Sequence, residues 1–264
     1  MLASLDGTVM DAGDVLVPAT DEGLLRGDGV FEVIRLYAGR PFALEEHLAR
    51  MRRSADNLRL EIDTGLVRAD VEALLTEAGD VDAALRVLWT RGGRRLAFVE
   101  ALKEMPPTLA LASVTYAPTR ILDGVKSLSY AGNMLAGRLA RERGAHEALL
   151  VTPHGRVLEG PTCSFFCSLD GETLVTPPLE DHILDSITRR RLLGLTGARE
   201  AIVAADELGG VHEAFMASTL REVHPVHAID GAALPAAPGP LTEAAAAAMR
   251  AHVEQELGLP AARR

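Results

Sequence analysis

The chain has 264 residues, 48% of them hydrophobic, with a formal net charge of −10 at pH 7. That is enough apolar chain for one large domain or two modest ones, and the acidic balance argues against nucleic acid or an anionic membrane as the main partner. No apolar run reaches the length of a membrane span, residues 1–7 lack a basic region and an apolar signal core, and the two cysteines, Cys163 and Cys167, suggest neither a metal site nor a disulfide framework. A soluble protein of the reducing cytoplasm is expected.

Residues 1–42 read as β-rich. Asp6-Gly7 makes a turn, Val15-Leu16-Val17 is a short apolar run ended by Pro18, and the alternation through Val30-Phe31-Glu32-Val33-Ile34-Arg35-Leu36-Tyr37 predicts a strand. Ala38-Gly39-Arg40-Pro41 closes it into a hairpin. Gly27 and Gly29 before this strand suit either a turn or a close approach of backbone to a ligand. The 3.6-residue spacing of Leu44, Leu48, Met51, Ala55 and Leu58 predicts a helix with an unusually basic face. A second helix spans about 64–78, followed by strands at 85–90 and 96–99 joined by the basic turn Arg91-Gly92-Gly93-Arg94-Arg95. A guanidinium there suits a substrate carboxylate, and an ordinary cationic turn fits equally well. After a strand at 109–114, Tyr116-Ala117-Pro118-Thr119-Arg120 reads as a connector. The expected organisation is a small domain over 1–117, a linker over 118–124 and a large domain over 125–264.

The second lobe opens on Gly124-Val125-Lys126-Ser127-Leu128-Ser129-Tyr130, then a helix at 131–143 stopped by Gly144. Glu147 to Val151 and Arg156 to Glu159 read as a hairpin across Pro153-His154-Gly155, with strands at 164–168, 173–176 and 201–203. Residues 183–193 pass from loop into helix, 214–219 and 223–226 form further extended segments, and the alanine block within 242–257 predicts a C-terminal helix.

Three features of this half fit one chemistry. Lys126, with no acidic residue within two positions, is either a solvated residue or an amine kept nucleophilic for condensation with a carbonyl. Glu159 is either a turn residue or a carboxylate that keeps a ring nitrogen protonated. Ser186-Ile187-Thr188 is either an ordinary helix start or a set of N–H groups and a hydroxyl for a phosphate. An aldehyde, a basic ring nitrogen and a phosphate together describe pyridoxal 5'-phosphate.

Longer segments point the same way. Gly27-Asp28-Gly29-Val30-Phe31-Glu32, His47-Leu48-Ala49-Arg50-Met51, Val125-Lys126-Ser127-Leu128, Gly155-Arg156-Val157-Leu158-Glu159-Gly160, Thr176-Pro177-Pro178-Leu179, Ile187-Thr188-Arg189 and Ser218-Thr219-Leu220-Arg221-Glu222-Val223 follow one another in order. In this the chain resembles the class IV aminotransferases, the pyridoxal-phosphate proteins of fold type IV. That group includes branched-chain, D-amino-acid and (R)-amine transaminases and aminodeoxychorismate lyase. The resemblance implies a two-lobed α/β (α+β) fold with the cofactor in the inter-domain cleft, and a homodimer. It assigns Lys126 as Schiff-base lysine and proton shuttle and Glu159 as partner of the pyridine nitrogen. Arg50, Ile187, Thr188 and Thr219 become phosphate ligands, Ser186 and Ser218 further cofactor-binding residues, and Tyr130 the neighbour of the phenolic oxygen. Arg26, Phe31, Val33, Arg91 and Arg94 become substrate-pocket residues.

The chain departs from the usual family pattern at several positions. Cys163-Ser164 stands where Ser-Asn is common, and Ser186 where Gly is common. Tyr130 lies one position before the usual tyrosine, and Arg94-Arg95-Leu96 lies near the place of an Arg-x-His carboxylate trap. Arg26 replaces a tyrosine common in branched-chain enzymes, and Val33 replaces the lyase branch's threonine, which favours transamination over β-elimination of pyruvate. The implied activity is ping-pong transfer of an amino group from an amino acid or amine to a 2-oxo acid. The runner-up is the lyase, and a non-catalytic cofactor-binding protein is a remote third.

Overall fold

Alternating side chains over the first hundred residues build one antiparallel sheet. The computed structural model describes residues 1–260. Its first elements are β1 (Leu2–Leu5), β2 (Thr8–Asp11), α1 (Glu22–Arg26), β3 (Gly29–Tyr37), β4 (Arg40–Pro41), α2 (Leu44–Asn57), α3 (Thr64–Ala78), β5 (Ala83–Thr90) and β6 (Arg95–Ala101). The strands lie in the order β2-β1-β6-β5-β3-β4, every neighbour antiparallel. Because successive side chains point to opposite faces, Val30, Ile34 and Leu36 join Leu48, Met51 and Ala55 of α2 and Val67, Val71 and Leu74 of α3 in a buried core. Phe31, Val33 and Arg35 stand on the opposite face.

The later elements are β7 (Leu109–Thr115), α4 (Ala131–Glu142), β8 (Glu147–Val151), β9 (Ser164–Ser168), β10 (Val175–Thr176), α5 (Ile187–Thr196), β11 (Arg199–Glu200), β12 (Glu213–Ser218), β13 (Glu222–Ile229), β14 (Ala232–Ala233) and α6 (Pro240–Leu257). They form a mixed sheet in the order β11-β10-β9-β12-β13-β7-β8, with β14 beside β13. The pairs β10/β11, β13/β7 and β7/β8 are parallel. Ala136 and Ala140 of α4 pack on Ala112, Val114, Ala148 and Leu150, while Leu111, Leu149, Phe165 and Met216 belong to a separate apolar cluster. Among the described residues, no helix is long and apolar enough to cross a membrane.

The described chain forms two compact units that are not contiguous in sequence. Met1–Glu104 goes with Gly124–Tyr130, and Met105–Asp123 goes with the residues from Ala131 on. The lysine-bearing stretch, which the sequence places at the opening of the second lobe, thus packs with the first unit. Ser127 makes an antiparallel bridge to Val30. The Phe31 N–H donates to the Lys126 carbonyl at 3.2 Å, and the Leu128 N–H to the Gly29 carbonyl at 2.9 Å. The two early glycines make room for this added strand rather than only for a turn. A Cβ on Gly29 would lie 2.5 Å from the Trp89 carbonyl oxygen and 2.7 Å from the Leu128 side chain. One on Gly27, whose φ is +68°, would lie 3.0 Å from the Ser129 hydroxyl.

Other differences are local. Residues 201–203, read as a strand, pair only irregularly: the Ala201 N–H donates to Thr176 and the Val157 N–H to Val203, and the regular strand is Arg199–Glu200. Glu22–Arg26 is a helix that its sequence did not signal, since five residues are too few to show a period and Leu24 and Leu25 are exposed. Its ends carry the cue instead: Asp21 accepts from the Gly23 N–H at 2.7 Å, and Gly27 adopts the left-handed conformation.

Gly29→Ala is expected to cost about 1–3 kcal/mol through overpacking, measured by urea unfolding. A variant as stable as the parent would show that the approach of the lysine segment is not tight.

Candidate active site

In the first unit the lysine segment lays its side chain against two rings. The Lys126 Nζ stands 4.4 Å from the Phe31 ring centroid and 5.6 Å from that of Tyr130, and the rings meet edge to face at 5.2 Å. Such ring faces attract an ammonium and wall it from water on that side. The Lys126 backbone is anchored too, its N–H donating to the Ser54 hydroxyl of α2 at 3.1 Å. Val33 stands on the same face of β3 as Phe31, two residues on.

The opposite face of the strand carries a charge that the sequence reading placed only within a strand and a family segment. Glu32 is fully buried and takes two hydrogen bonds from Arg50, Nε at 2.7 Å and Nη2 at 2.6 Å. His47 Nδ1 lies 2.8 Å from the same carboxylate, which makes Nδ1–H the donor and leaves Nε2, buried without a partner, as the basic nitrogen. Burial alone would raise the Glu32 pKa; the Arg50 charge and the hydrogen bonds from Arg50 and His47 outweigh it and bring it to about 2. Burial lowers that of His47, against the pull of Glu32, with the charges of Arg50 and Lys126 adding to the lowering. Arg50, Ser54 and His47 therefore form one polar edge of α2 around Glu32 and the Lys126 backbone. The cue in the sequence is a glutamate at a core-facing position of a strand whose other core-facing residues, Val30, Ile34 and Leu36, are apolar.

The other arginines singled out from sequence hold their own unit together. Arg91 gives Nε to Asp28 at 2.5 Å, Nη1 to the Arg59 carbonyl at 3.2 Å and Nη2 to the Leu58 carbonyl at 2.8 Å. Arg94 pairs with Asp6 at 2.7 Å, and Arg26, on the exposed end of α1, pairs with Glu22. A substrate carboxylate at Arg91 would have to displace Asp28.

In the second unit, Glu159 sits beside β8, where the Leu150 N–H donates to its carbonyl at 2.9 Å. Its side chain accepts from the Leu184 N–H at 3.1 Å. Burial, and then the Glu159 charge, raise the pKa of the Tyr116 phenol. Ser186 is the N-cap of α5, its hydroxyl accepting from the Arg189 N–H at 3.3 Å. The Ile187 and Thr188 N–H groups of the first turn make no hydrogen bond among the described residues. After β12, Ser218 accepts from the Arg221 N–H, while the N–H and hydroxyl of Thr219 have no partner among the described residues. Uncommitted helix-start N–H groups and hydroxyls are the donor set a phosphate needs, and a carboxylate such as Glu159 is what a protonated ring nitrogen needs. The residues present fit pyridoxal phosphate.

Comparison with known proteins supplies the family. Residues 29–229 match the family model for amino-transferase class IV. The chain is 32% identical to the D-alanine aminotransferase of Bacillus licheniformis, over 92% of this chain and 94% of that one. The chain belongs to the class IV aminotransferases. It is 30% identical to a bifunctional aminodeoxychorismate lyase / D-amino acid transaminase of Mycobacterium tuberculosis, over 90% of this chain and 94% of that one. Among solved structures, it superposes with a TM-score of 0.86 and 25% identity on the PLP-bound form of a hypothetical aminotransferase from Mycobacterium tuberculosis, covering 97% of this chain and 100% of that one. The two-sheet α/β architecture is that of fold type IV.

Glu32→Gln leaves Arg50 buried without its counter-charge and is expected to cost about 3–5 kcal/mol. In the parent, the folded-state pKa of Glu32 lies below its ordinary value of 4.5. The stabilisation is therefore complete above pH 4.5 and is lost as the pH falls towards 2. Urea unfolding across that window should show a steeper acid loss in the parent than in the variant, and equal slopes would contradict it.

Proposed function

We propose that the protein is a pyridoxal-phosphate-dependent aminotransferase that moves an amino group between an amino acid or amine and a 2-oxo acid in two half-reactions. The observation that carries this reading is the placement of Lys126, whose amine stands against Phe31 and Tyr130 while its backbone is fixed on β3 and α2. The family membership and the PLP of the Mycobacterium relative support the choice of cofactor.

Bound pyridoxal phosphate supplies an aldehyde that exchanges the amino group and a ring that takes up the electrons released when a Cα–H bond breaks. Lys126 is the amine that would hold the aldehyde and, once free of it, would carry the proton removed from the substrate Cα. Glu159 keeps the ring nitrogen protonated, its carboxylate oriented by the Leu184 N–H. Ile187, Thr188 and Thr219 would hold the phosphate through N–H and hydroxyl groups, and Arg50, whose guanidinium Glu32 holds in plane, is the cation that the family resemblance assigns to it. Tyr130 would neighbour the phenolic oxygen, and Phe31 and Val33 would face the substrate. The same reading makes the protein a cytoplasmic homodimer.

Val33 supports transfer over elimination, because a valine has no hydroxyl to donate. The runner-up, release of pyruvate from aminodeoxychorismate, is the activity that the bifunctional relative's name includes.

Lys126→Ala is expected to abolish turnover and the visible absorbance of the lysine-bound cofactor while leaving the protein folded. A variant with normal turnover would remove Lys126 from the scheme. A panel of amino donors, both enantiomers of each, assayed beside aminodeoxychorismate separates transfer from pyruvate release. Neither activity in a protein that still turns yellow with the cofactor would mark a binding protein.

A further inference from the structure

The turn that follows Glu159 is held by more than its own backbone. The Gly160 N–H donates to the Cys163 carbonyl at 2.7 Å, which closes residues 160–163 between the acid and β9. Packing there is tight: a Cβ on Gly160 would lie 2.6 Å from the Met216 methyl and 2.7 Å from the Cys163 Sγ. Asn133 of α4 donates its Nδ2 to the Pro161 carbonyl at 2.9 Å. Arg221 donates its Nη1 to the Cys163 Sγ at 3.3 Å and its Nη2 to the buried carboxylate of Glu147 at the start of β8. The arginine backbone belongs to a second turn, 218–221, where its N–H donates to the Ser218 carbonyl at 3.2 Å and lies 3.3 Å from the Ser218 hydroxyl. One side chain therefore runs from the turn that carries Thr219 to the turn that follows Glu159, and all of these residues lie in the second unit.

A buried carboxylate has to be matched by charge, so the bond to Glu147 has a purely structural explanation. The bond to Cys163 does not follow from it. A guanidinium end that Glu147 does not need can stay in water at little cost, yet Nη1 is turned onto a sulfur, a weak acceptor. Burial pushes the Cys163 thiol up to about 12, against the pull of the Arg221 charge, so Arg221 meets a neutral thiol and not an ion-pair partner. What the contact supplies is position. The ladder pairs Ala217 of β12 with Ser164 of β9, so turns 218–221 and 160–163 leave neighbouring strands at the same end of the sheet. Beyond the last ladder pair nothing in the backbone fixes their spacing, and a planar guanidinium held at both Nη atoms does.

We infer that Arg221, through the Cys163 sulfur, is a positioning residue that couples the turn of Thr219 to the turn of Glu159, so that the grip on a phosphate and the reach to a ring nitrogen are set together. Cys163, one of the chain's departures from the family pattern, serves as the acceptor that this strut needs. The inference rests on the aminotransferase reading for the assignment of Thr219 and Glu159 to the two ends of one cofactor.

The test titrates the cofactor-free full chain with pyridoxal phosphate and reads the bound fraction from its absorbance, so turnover is not needed. Cys163→Ala removes the sulfur and leaves the Arg221–Glu147 pair intact, whereas Cys163→Ser restores an acceptor. Cys163→Ala should weaken cofactor binding about fivefold, the scale of one hydrogen bond, and Cys163→Ser should recover most of that loss. A serine variant no better than the alanine one overturns the inference. Glu159→Gln, made in the parent and in Cys163→Ala, completes a double-mutant cycle. The loss it causes should be about threefold smaller in the Cys163→Ala background. Equal losses in the two backgrounds overturn the inference, because a general loosening of the fold leaves them equal. Amide hydrogen exchange of the cofactor-free chain is a second measurement. Peptides covering 159–163 and 218–222 should both exchange faster in Cys163→Ala and return to the parent rate in Cys163→Ser. Faster exchange in one segment alone, or in neither, overturns the coupling. A parent that takes up no pyridoxal phosphate fails the aminotransferase reading, and the exchange rates alone then decide whether Arg221 couples the two turns.

Discussion

A carboxylate buried under a sheet has to be matched by charge, and in this protein that requirement fixes the frame of the first unit. Glu32 lies fully buried on the core side of β3, so Arg50 and His47 of α2 have to meet its charge there. Helix α2 is thereby locked to the strand in both register and rotation. The same helix offers the Ser54 hydroxyl to the Lys126 N–H, so a lock set by electrostatics in the core also sets the height of the lysine above the sheet. Phe31 and Val33, the residues on either side of Glu32, inherit their outward direction from the alternation of the strand. One buried charge thus orients the opposite face of the strand, which it does not touch.

The lysine itself depends on absence of side chain as much as on contacts. Its segment runs as an extra antiparallel partner to the first residues of β3, at a place where β5 already pairs from the other side. Three backbones meet there, and only a residue without a Cβ fits at Gly29. The Gly-Asp-Gly run is therefore tied to the lysine through sterics across about a hundred residues of chain, which a local reading of either stretch cannot reveal.

What the sequence made legible follows from periodicity and family order. Helices α2 and α3, strands β3, β5 and β7, and the helix start at Ser186 were all expected near where they lie, because each has a long regular pattern or a distinct cap. The same signals fail for α1, which is too short to have a period, and for residues 201–203, where apolar side chains mark burial rather than a ladder. Assigning residues 124–130 to the lobe that follows them was natural from chain order, but the bond pattern of Lys126 and Leu128 attaches them to the preceding unit. Glu32 and His47 were visible as letters, and their coupling needed the third dimension.

The arginines show most sharply where sequence reasoning stops. By composition, Arg91, Arg94 and Arg86 are equal candidates for a carboxylate, and the basic turn holding the first two draws attention because its charges cluster. Clustering in sequence has no bearing on availability. Arg91 is spent on an aspartate and two carbonyls, which is what a loop needs in order to close. Arg86, isolated in an apolar strand, meets a single glutamate along one edge and faces the side on which Phe31 and Lys126 stand.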